Sequence, residues 1–294
     1  MTGAPRPARR EPAARTDEPG PAWVVRALRS AGCVFAEDEA RLLQAAARTP
    51  AELEALLERR VAGVPLEHVL GWVEFCGLRI LLDDGVFVPR RRTGLLVREG
   101  VAHLRRSGGA GRARRPVVLD LCCGSAAVGA AVAASVGGVE LHASDVDAAA
   151  VACARRNVAG VGGSVHRGDL YAPLPRSLAG RVDLLVVNAP YVPSDAIALM
   201  PPEARLHEPR AALDGGADGL DVHRRVAAGV PTWLRPDGIL LIETSAVQAP
   251  ATVEAVERHG LSATVVTDDS LDATAVLGRV PEDGRGTAPD LSPR

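Results

Sequence analysis

Four short strand-like runs that each close on an acid or an asparagine limit the folds open to this chain more than any other feature of it. They cover residues 117–121, 139–143, 164–166 and 182–187, and their polar ends are Asp120, Asp145, Asp169 and Asn188. The first and last are almost wholly aliphatic, the pattern of a strand buried on both faces, while the second carries Glu140 and His142 and the third is the short Ser164-Val165-His166. An Ala/Val helical pattern reaching about residue 135 follows the first, and another over 148–157 follows the second. Strands and helices alternating in this way build parallel βαβ units and a doubly wound α/β sheet. Ligands of such sheets bind at the carboxyl ends of the strands. Polar side chains at four consecutive strand ends therefore point to one shared site.

The fourth run is broken only by Asp183 and stops abruptly in Asn188-Ala189-Pro190-Tyr191. Pro190 has no N–H to continue a ladder. An amide side chain and a free backbone carbonyl are thus left at the strand end, with Tyr191 as a flat wall carrying a polar tip. This corner suits a planar group bearing an NH₂, since the Asn188 side-chain oxygen and the Ala189 carbonyl can each accept one hydrogen. A turn that merely ends a strand is the competing reading of the tetrapeptide alone.

The first run leads into Leu121-Cys122-Cys123-Gly124-Ser125-Ala126, a strand–turn–helix layout typical of nucleotide sites. It is a poor dinucleotide fingerprint, because Cys122 and Ala126 stand where glycine would help most. Asp120 beside the turn would also repel phosphates, so a small cationic ligand fits better. Asp145, roughly 20 residues beyond the turn, is placed for ribose hydroxyls, and Asp169 suits an exocyclic amine such as that of adenine. With no further His or Cys cluster nearby, Cys122 and Cys123 read as small residues filling a tight turn, and no metal site is expected.

Elsewhere the chain divides by pattern. Residues 1–20 and 281–294 read as disordered tails, and 21–70 as a small helical module that contacts a partner. Thr49-Pro50 marks a helix start within it. Residues 71–89 alternate as a β-hairpin with its turn at Cys76-Gly77 or at Asp83-Asp84-Gly85, and 90–280 form the α/β domain. The segment 192–219 reads as a long Pro- and Gly-rich loop suited to binding or to a lid. Helices at 221–230 and 248–259, a strand at 238–243 and a closing antiparallel pair at 262–266 and 274–277 complete a sheet of about seven strands. A net charge of −2 supplies no basic field for nucleic acid, although Arg90–Arg92 and Arg112–Arg115 are local clusters. All 34 basic residues are arginine. No apolar run approaches the roughly 20 residues that span a bilayer. There is no secretory leader pattern, and five unpatterned cysteines fit reduced thiols in the cytoplasm.

Taken together, these residues resemble the class I S-adenosylmethionine-dependent methyltransferases, and more closely the HemK-type protein-(glutamine N5) methyltransferases, which modify peptide chain release factors. The resemblance covers about residues 50–280. Gly63-Val64-Pro65-Leu66-Glu67-His68-Val69-Leu70-Gly71, with Glu74-Phe75, is similar to the family's interdomain segment. Phe87-Val88-Pro89-Arg90-Arg91-Arg92-Thr93 is similar to its Pro-Arg-Pro-x-Thr-Glu signature. His207-Glu208-Pro209-Arg210-Ala211-Ala212-Leu213, with Gly215-Gly216 and Asp218-Gly219-Leu220, is similar to two further segments. Departures are Ala189 for the first proline of Asn-Pro-Pro-Tyr, Ala126 for a glycine, Arg91 for proline and Gly94 for glutamate. Ala189 keeps the backbone carbonyl; Ala126 would crowd the cofactor's methionine end. The N-terminal helical part is also shorter than the family's.

The resemblance implies S-adenosyl-L-methionine as cofactor, a protein substrate and methyl transfer to a glutamine side-chain nitrogen. Asp120, Cys123 and Gly124 would then lie near the methionine end, Asp145 at the ribose, and Asp169 with Leu170 at the adenine. Asn188, Ala189, Pro190 and Tyr191 would form the catalytic and substrate corner, Asn188 touching the cofactor as well, with Phe87 beside the reacting amide. His68, His207 and His223 read as structural or surface residues. Two rivals stand beside this reading. One is a methyltransferase acting on the exocyclic amine of a nucleic-acid base; the other is a non-catalytic protein that binds the cofactor or a partner.

Overall fold

Apolar residues at helical spacing open the chain, and the computed structural model, which describes residues 21–107 and 114–281, folds them into three helices. The expected tails and most of the Gly/Arg loop around 107–115 lie outside the described residues. Helix α1 (Ala22–Ser30) buries Val24, Val25 and Leu28; α2 (Ala36–Ala46) buries Ala40 and Leu43; α3 (Pro50–Val61) buries Leu53 and Leu57. Thr49 caps α3 by accepting the Glu52 amide at 3.2 Å, with Pro50 in the first turn. Between α2 and α3, Arg60 donates to Glu39 at 2.6 and 3.2 Å in a buried two-point pair. Residues up to Leu66 form one compact unit and those from Glu67 onward another.

The second unit begins near α4 (Leu66–Leu70) and the antiparallel hairpin β1 (Trp72–Phe75) and β2 (Leu78–Leu81). Of the two candidate turns the hairpin uses Cys76-Gly77, both left-handed at φ 49° and 76°. Asp83-Asp84-Gly85 makes a separate turn, closed by Val86 N–H to the Asp83 carbonyl at 3.2 Å. Then follow α5 (Gly94–Arg106), β3 (Val117–Leu121), α6 (Ala127–Val136), β4 (Glu140–Asp145), α7 (Ala148–Val158), β5 (Ser164–Arg167) and β6 (Val182–Val187). The chain closes with α8 (Pro202–His207), α9 (Asp221–Trp233), β7 (Leu234–Thr244), α10 (Ala249–Glu257), β8 (Ser262–Asp268) and β9 (Ala273–Arg279).

The seven strands lie in the order β5-β4-β3-β6-β7-β9-β8. β5, β4, β3, β6 and β7 are parallel, while β9 runs antiparallel to both β7 and β8. This is the doubly wound α/β sheet expected from the alternating pattern. Side chains of β6 alternate between its faces: Leu184 and Val186 join the cluster with α5 and α6, Leu185 and Val187 the cluster with α9 and α10. Asp183, the polar break in that run, sits where the register shifts on both sides of β6. There it accepts Val117 N–H at 2.7 Å and a two-point contact from Arg114 at 2.7 and 2.9 Å.

Three sequence expectations need correction. Strand β7 begins at Leu234 rather than residue 238, because Leu234 already pairs with Val182 ahead of the irregularity at Pro236-Asp237-Gly238. Helix α9 continues through Pro231 to Trp233, whose ring stacks on Tyr171 at 5.6 Å and favours the extra turn. The segment 192–219 is not structureless. It carries α8, and Val192 N–H and Gly215 N–H pair with the Leu213 and Val192 carbonyls at 3.0 and 2.9 Å.

Candidate active site

Strand order reverses between β3 and β6, and a cavity of ≈ 510 Å³ lies at that switch point. Its wall includes every site residue singled out from the sequence: Phe87, Asp120, Cys123, Gly124, Asp145, Asp169, Leu170 and Asn188 to Tyr191. Their common cause is local. Each parallel strand delivers its last side chains to the same edge of the sheet.

Asp120 is 2% exposed and accepts the Gly129 N–H of the first turn of α6 at 2.8 Å. That approach needs glycine, since a Cβ on Gly129 would stand 3.0 Å from the carboxylate and 2.9 Å from Leu141. Burial pushes the Asp120 carboxyl up to about 8; Asp145 adds to the rise, and the Gly129 hydrogen bond opposes it. Asp145 accepts Gly124 N–H at 2.8 Å and Asp147 N–H at 2.9 Å, so its carboxylate holds the turn after β3 against the end of β4. Burial raises its pKa as well, against those two bonds.

The turn itself is bent in a way composition does not favour. Cys122 and Ala126 take left-handed φ values of 52° and 57°, where a side chain costs roughly 1–2 kcal/mol over glycine. Ala126 is fully buried and its neighbours Ser125 and Ala127, rather than Ala126 itself, line the cavity. Its departure from glycine falls on the backbone, at that positive φ. Burial drives both the Cys122 and Cys123 thiols up, away from the reactive thiolate. Asp169 is exposed and paired with Arg225 of α9, and Ser144 Oγ donates to the Leu170 carbonyl at 2.8 Å.

On the other side of the cavity, Ala189 is 2% exposed and Asn188 Nδ2 donates to Thr93 Oγ1 at 3.4 Å. Arg92 donates to the Tyr191 hydroxyl at 2.9 Å and to Glu243 Oε1 at 3.2 Å. Tyr191 in turn donates to the same Glu243 oxygen at 3.3 Å. Gln248 Nε2 donates to the Tyr191 carbonyl at 2.9 Å, and a Cβ on Gly219 would stand 2.4 Å from that nitrogen. Arg90 pairs with Glu208 and lies over the Phe87 ring at 5.2 Å, so the Pro-Arg and Glu-Pro segments meet at the rim. His223 is buried beside Tyr191 with Nδ1 3.2 Å from Thr252 Oγ1, and burial lowers its pKa to about 4. His68 is likewise buried, with Nε2 2.8 Å from the Val86 carbonyl.

Arg92, Thr93, Glu208, Glu243 and Gln248 escaped assignment from the sequence. Glu243 had a readable signal, an acid closing an aliphatic strand, the same mark that singled out Asp120, Asp145 and Asp169. Arg92, Thr93 and Glu208 stand in the segments that carry the family resemblance, which gave them no role, and Gln248 carries no signal without the fold.

Residues 101–217 match the family model of the methyltransferase small domain. The release factor glutamine methyltransferase of Gloeobacter violaceus is 38% identical over 212 residues, 70% of this chain and 71% of that protein. That of Geobacter sulfurreducens is 35% identical over 234 residues, 78% of each. The ribosomal protein uL3 glutamine methyltransferase of Bradyrhizobium diazoefficiens is 36% identical over 200 residues, 65% of this chain and 60% of that protein.

Proposed function

This chain belongs to the family of the release factor glutamine methyltransferases, and from that premise we propose that it methylates the side-chain amide nitrogen of a glutamine in a peptide chain release factor, with S-adenosyl-L-methionine as donor. The observation that carries the reading is the Asn188–Tyr191 corner, which shares one cavity with three strand-end carboxylates.

The lining suits that cofactor. Asp120, Asp145 and Asp169 favour a ligand with cationic centres, ribose hydroxyls and an amine, and would repel phosphate. Asp120 with Cys123 and Gly124 would hold the methionine end, Asp145 the ribose, and Asp169 with Leu170 the adenine. When bound, S-adenosyl-L-methionine supplies an electrophilic methyl on a positively charged sulfur.

The chain's own residues do the rest by positioning. An amide nitrogen is a weak nucleophile, because its lone pair is delocalised into the carbonyl. Asn188 Oδ1 and the Ala189 carbonyl accept its two hydrogens and aim the nitrogen into the cavity. The same two dipoles stabilise the positive charge that develops on nitrogen in the transition state. Reacting atoms about 3–3.5 Å apart are the other requirement. Tyr191 and Phe87 form apolar walls that exclude water, and the surplus proton leaves after transfer without a dedicated base. Replacing the family's first proline by Ala189 leaves the accepting carbonyl in place. A cytoplasmic location fits a substrate of this kind, and the helical unit of residues 22–61 is available to contact it.

The test is transfer of radiolabelled methyl from S-adenosyl-L-methionine to purified release factors, wild type and with the loop glutamine changed to alanine. Label that depends on the glutamine supports the reading. Label on ribosomal protein uL3 alone would move the substrate to that protein. Label on nucleic acid alone, or cofactor binding with no transfer to any of these, would refute glutamine methylation.

A further inference from the structure

We infer that the turn Arg91–Thr93 is the positioning element of the acceptor corner, with Thr93 holding the Asn188 side chain in place and Arg92 holding Tyr191. The inference rests on the reading above and goes beyond it by adding two residues of the cavity wall that act through Asn188 and Tyr191.

Thr93 stands at the N-cap of α5, where a threonine oxygen ordinarily accepts an amide of the helix's first turn. Its side chain makes no such bond. The hydroxyl, on a residue 2% exposed, is instead the partner of Asn188 Nδ2 at 3.4 Å. A long hydrogen bond in a resting site is the kind that tightens when substrate loads it. An asparagine amide is nearly symmetric in shape, and only its hydrogen-bond partners distinguish its oxygen from its nitrogen. With Nδ2 donating to Thr93, Oδ1 is left to accept from an incoming amide. A hydroxyl can also donate, so Thr93 fixes where the Asn188 side chain stands, and the substrate's own NH₂, which would meet donor against donor in the reversed amide, selects the end.

The adjacent residue holds the other end of the tetrapeptide. Arg92 donates to the Tyr191 hydroxyl at 2.9 Å and is braced by Glu243, which is 2% exposed. Glu243 Oε1 receives Arg92 at 3.2 Å and Tyr191 at 3.3 Å, while Oε2 is buried with no hydrogen-bond partner among the described residues. Such a carboxylate is retained for the geometry it imposes rather than for stability. Two consecutive residues of one turn thus grip both ends of Asn188–Tyr191 across separations of 95 and 99 residues.

The chain permits an unusually direct test, because it contains two asparagines, Asn157 and Asn188. Selective ¹⁵N-asparagine labelling therefore gives two side-chain amide pairs, assigned by the loss of one in Asn188→Ala. Asn157 is the internal control, since its Nδ2 donates to the Leu81 and Ser125 carbonyls at 2.9 Å each. Thr93→Val keeps the side-chain shape and removes the hydroxyl. It is expected to shift the Asn188 pair and speed its hydrogen exchange while leaving the Asn157 pair alone. In the methylation assay kcat should fall about tenfold, with cofactor affinity unchanged. Thr93→Ser should restore both. An Asn188 pair indifferent to Thr93→Val overturns the inference whatever the substrate proves to be. So does a serine variant as impaired as the valine one. If wild-type protein labels no glutamine, the proposed function fails while the amide resonances still decide the role of Thr93.

Discussion

The buried carboxyl of Asp120 should make this protein less stable as pH rises, and Asp120→Asn should remove that dependence. Asp120 is 2% exposed, with one protein donor, the Gly129 N–H at 2.8 Å. Burial lifts its pKa from an ordinary 3.8 to about 8. Between those values the folded chain keeps a proton that the unfolded chain has lost, so stability falls with rising pH through that window and levels off above it. The slope is about 1.4 kcal/mol per pH unit. Across about pH 5.5 to 7.5 that amounts to roughly 2–3 kcal/mol, or about 5–10 °C in Tm. Asp145 and Glu208, both raised by burial, add slope of the same sign. The difference between wild type and variant, rather than either curve alone, therefore isolates Asp120. Thermal unfolding of both proteins without cofactor, at half-unit pH steps, is the assay. The variant should match or trail wild type near pH 5.5 and exceed it near pH 8. Above about pH 8, where the wild-type carboxyl is ionised, it should also bind S-adenosyl-L-methionine at least about tenfold more weakly, the difference narrowing as pH falls and wild-type Asp120 takes up its proton. A Tm difference that stays flat with pH would refute the reasoning.

Other substitutions probe the rest of the molecule. Asn188→Ala should lower turnover about 10²-fold with cofactor binding retained, by analogy with the loss of an oxyanion-hole donor; label transfer and calorimetry on one preparation separate the two effects. Gly129→Ala would place a Cβ 3.0 Å from Asp120 and 2.9 Å from Leu141. It should cost about 1–3 kcal/mol in denaturant unfolding and weaken the cofactor, and a neutral result would mean that α6 does not need this close approach. Arg60→Met should leave Glu39 buried without its two-point partner. A loss of about 3–5 kcal/mol, seen as faster hydrogen exchange across residues 22–61, is the expected outcome.

Much of the fold is written locally. Residues 117–121 and 182–187 are aliphatic runs broken only by Asp120 and Asp183, the pattern of strands inside a parallel sheet, and both form strands with the expected bounds. Asp120, Asp145, Asp169 and Asn188 line one cavity because parallel strands end on one edge, a consequence of chain direction alone. Thr49-Pro50 is legible as a helix start for the same reason, its partner Glu52 being only three residues away.

What the sequence could not supply is the choice of partners across long separations. Arg92 meets Glu243 across 151 residues, Arg90 meets Glu208 across 118, and Thr93 meets Asn188 across 95. With 34 arginines and 36 acids in the chain, no local rule says which cation finds which carboxylate. The same holds for Cys122 and Ala126: their composition argues against a left-handed turn, yet they adopt one because the path from β3 into α6 requires it. Local pattern determined where the strands end and which polar groups stand there. Tertiary packing alone decided what those groups are held by, because side-chain partners are chosen by proximity after the sheet has formed, and proximity is a property of the fold.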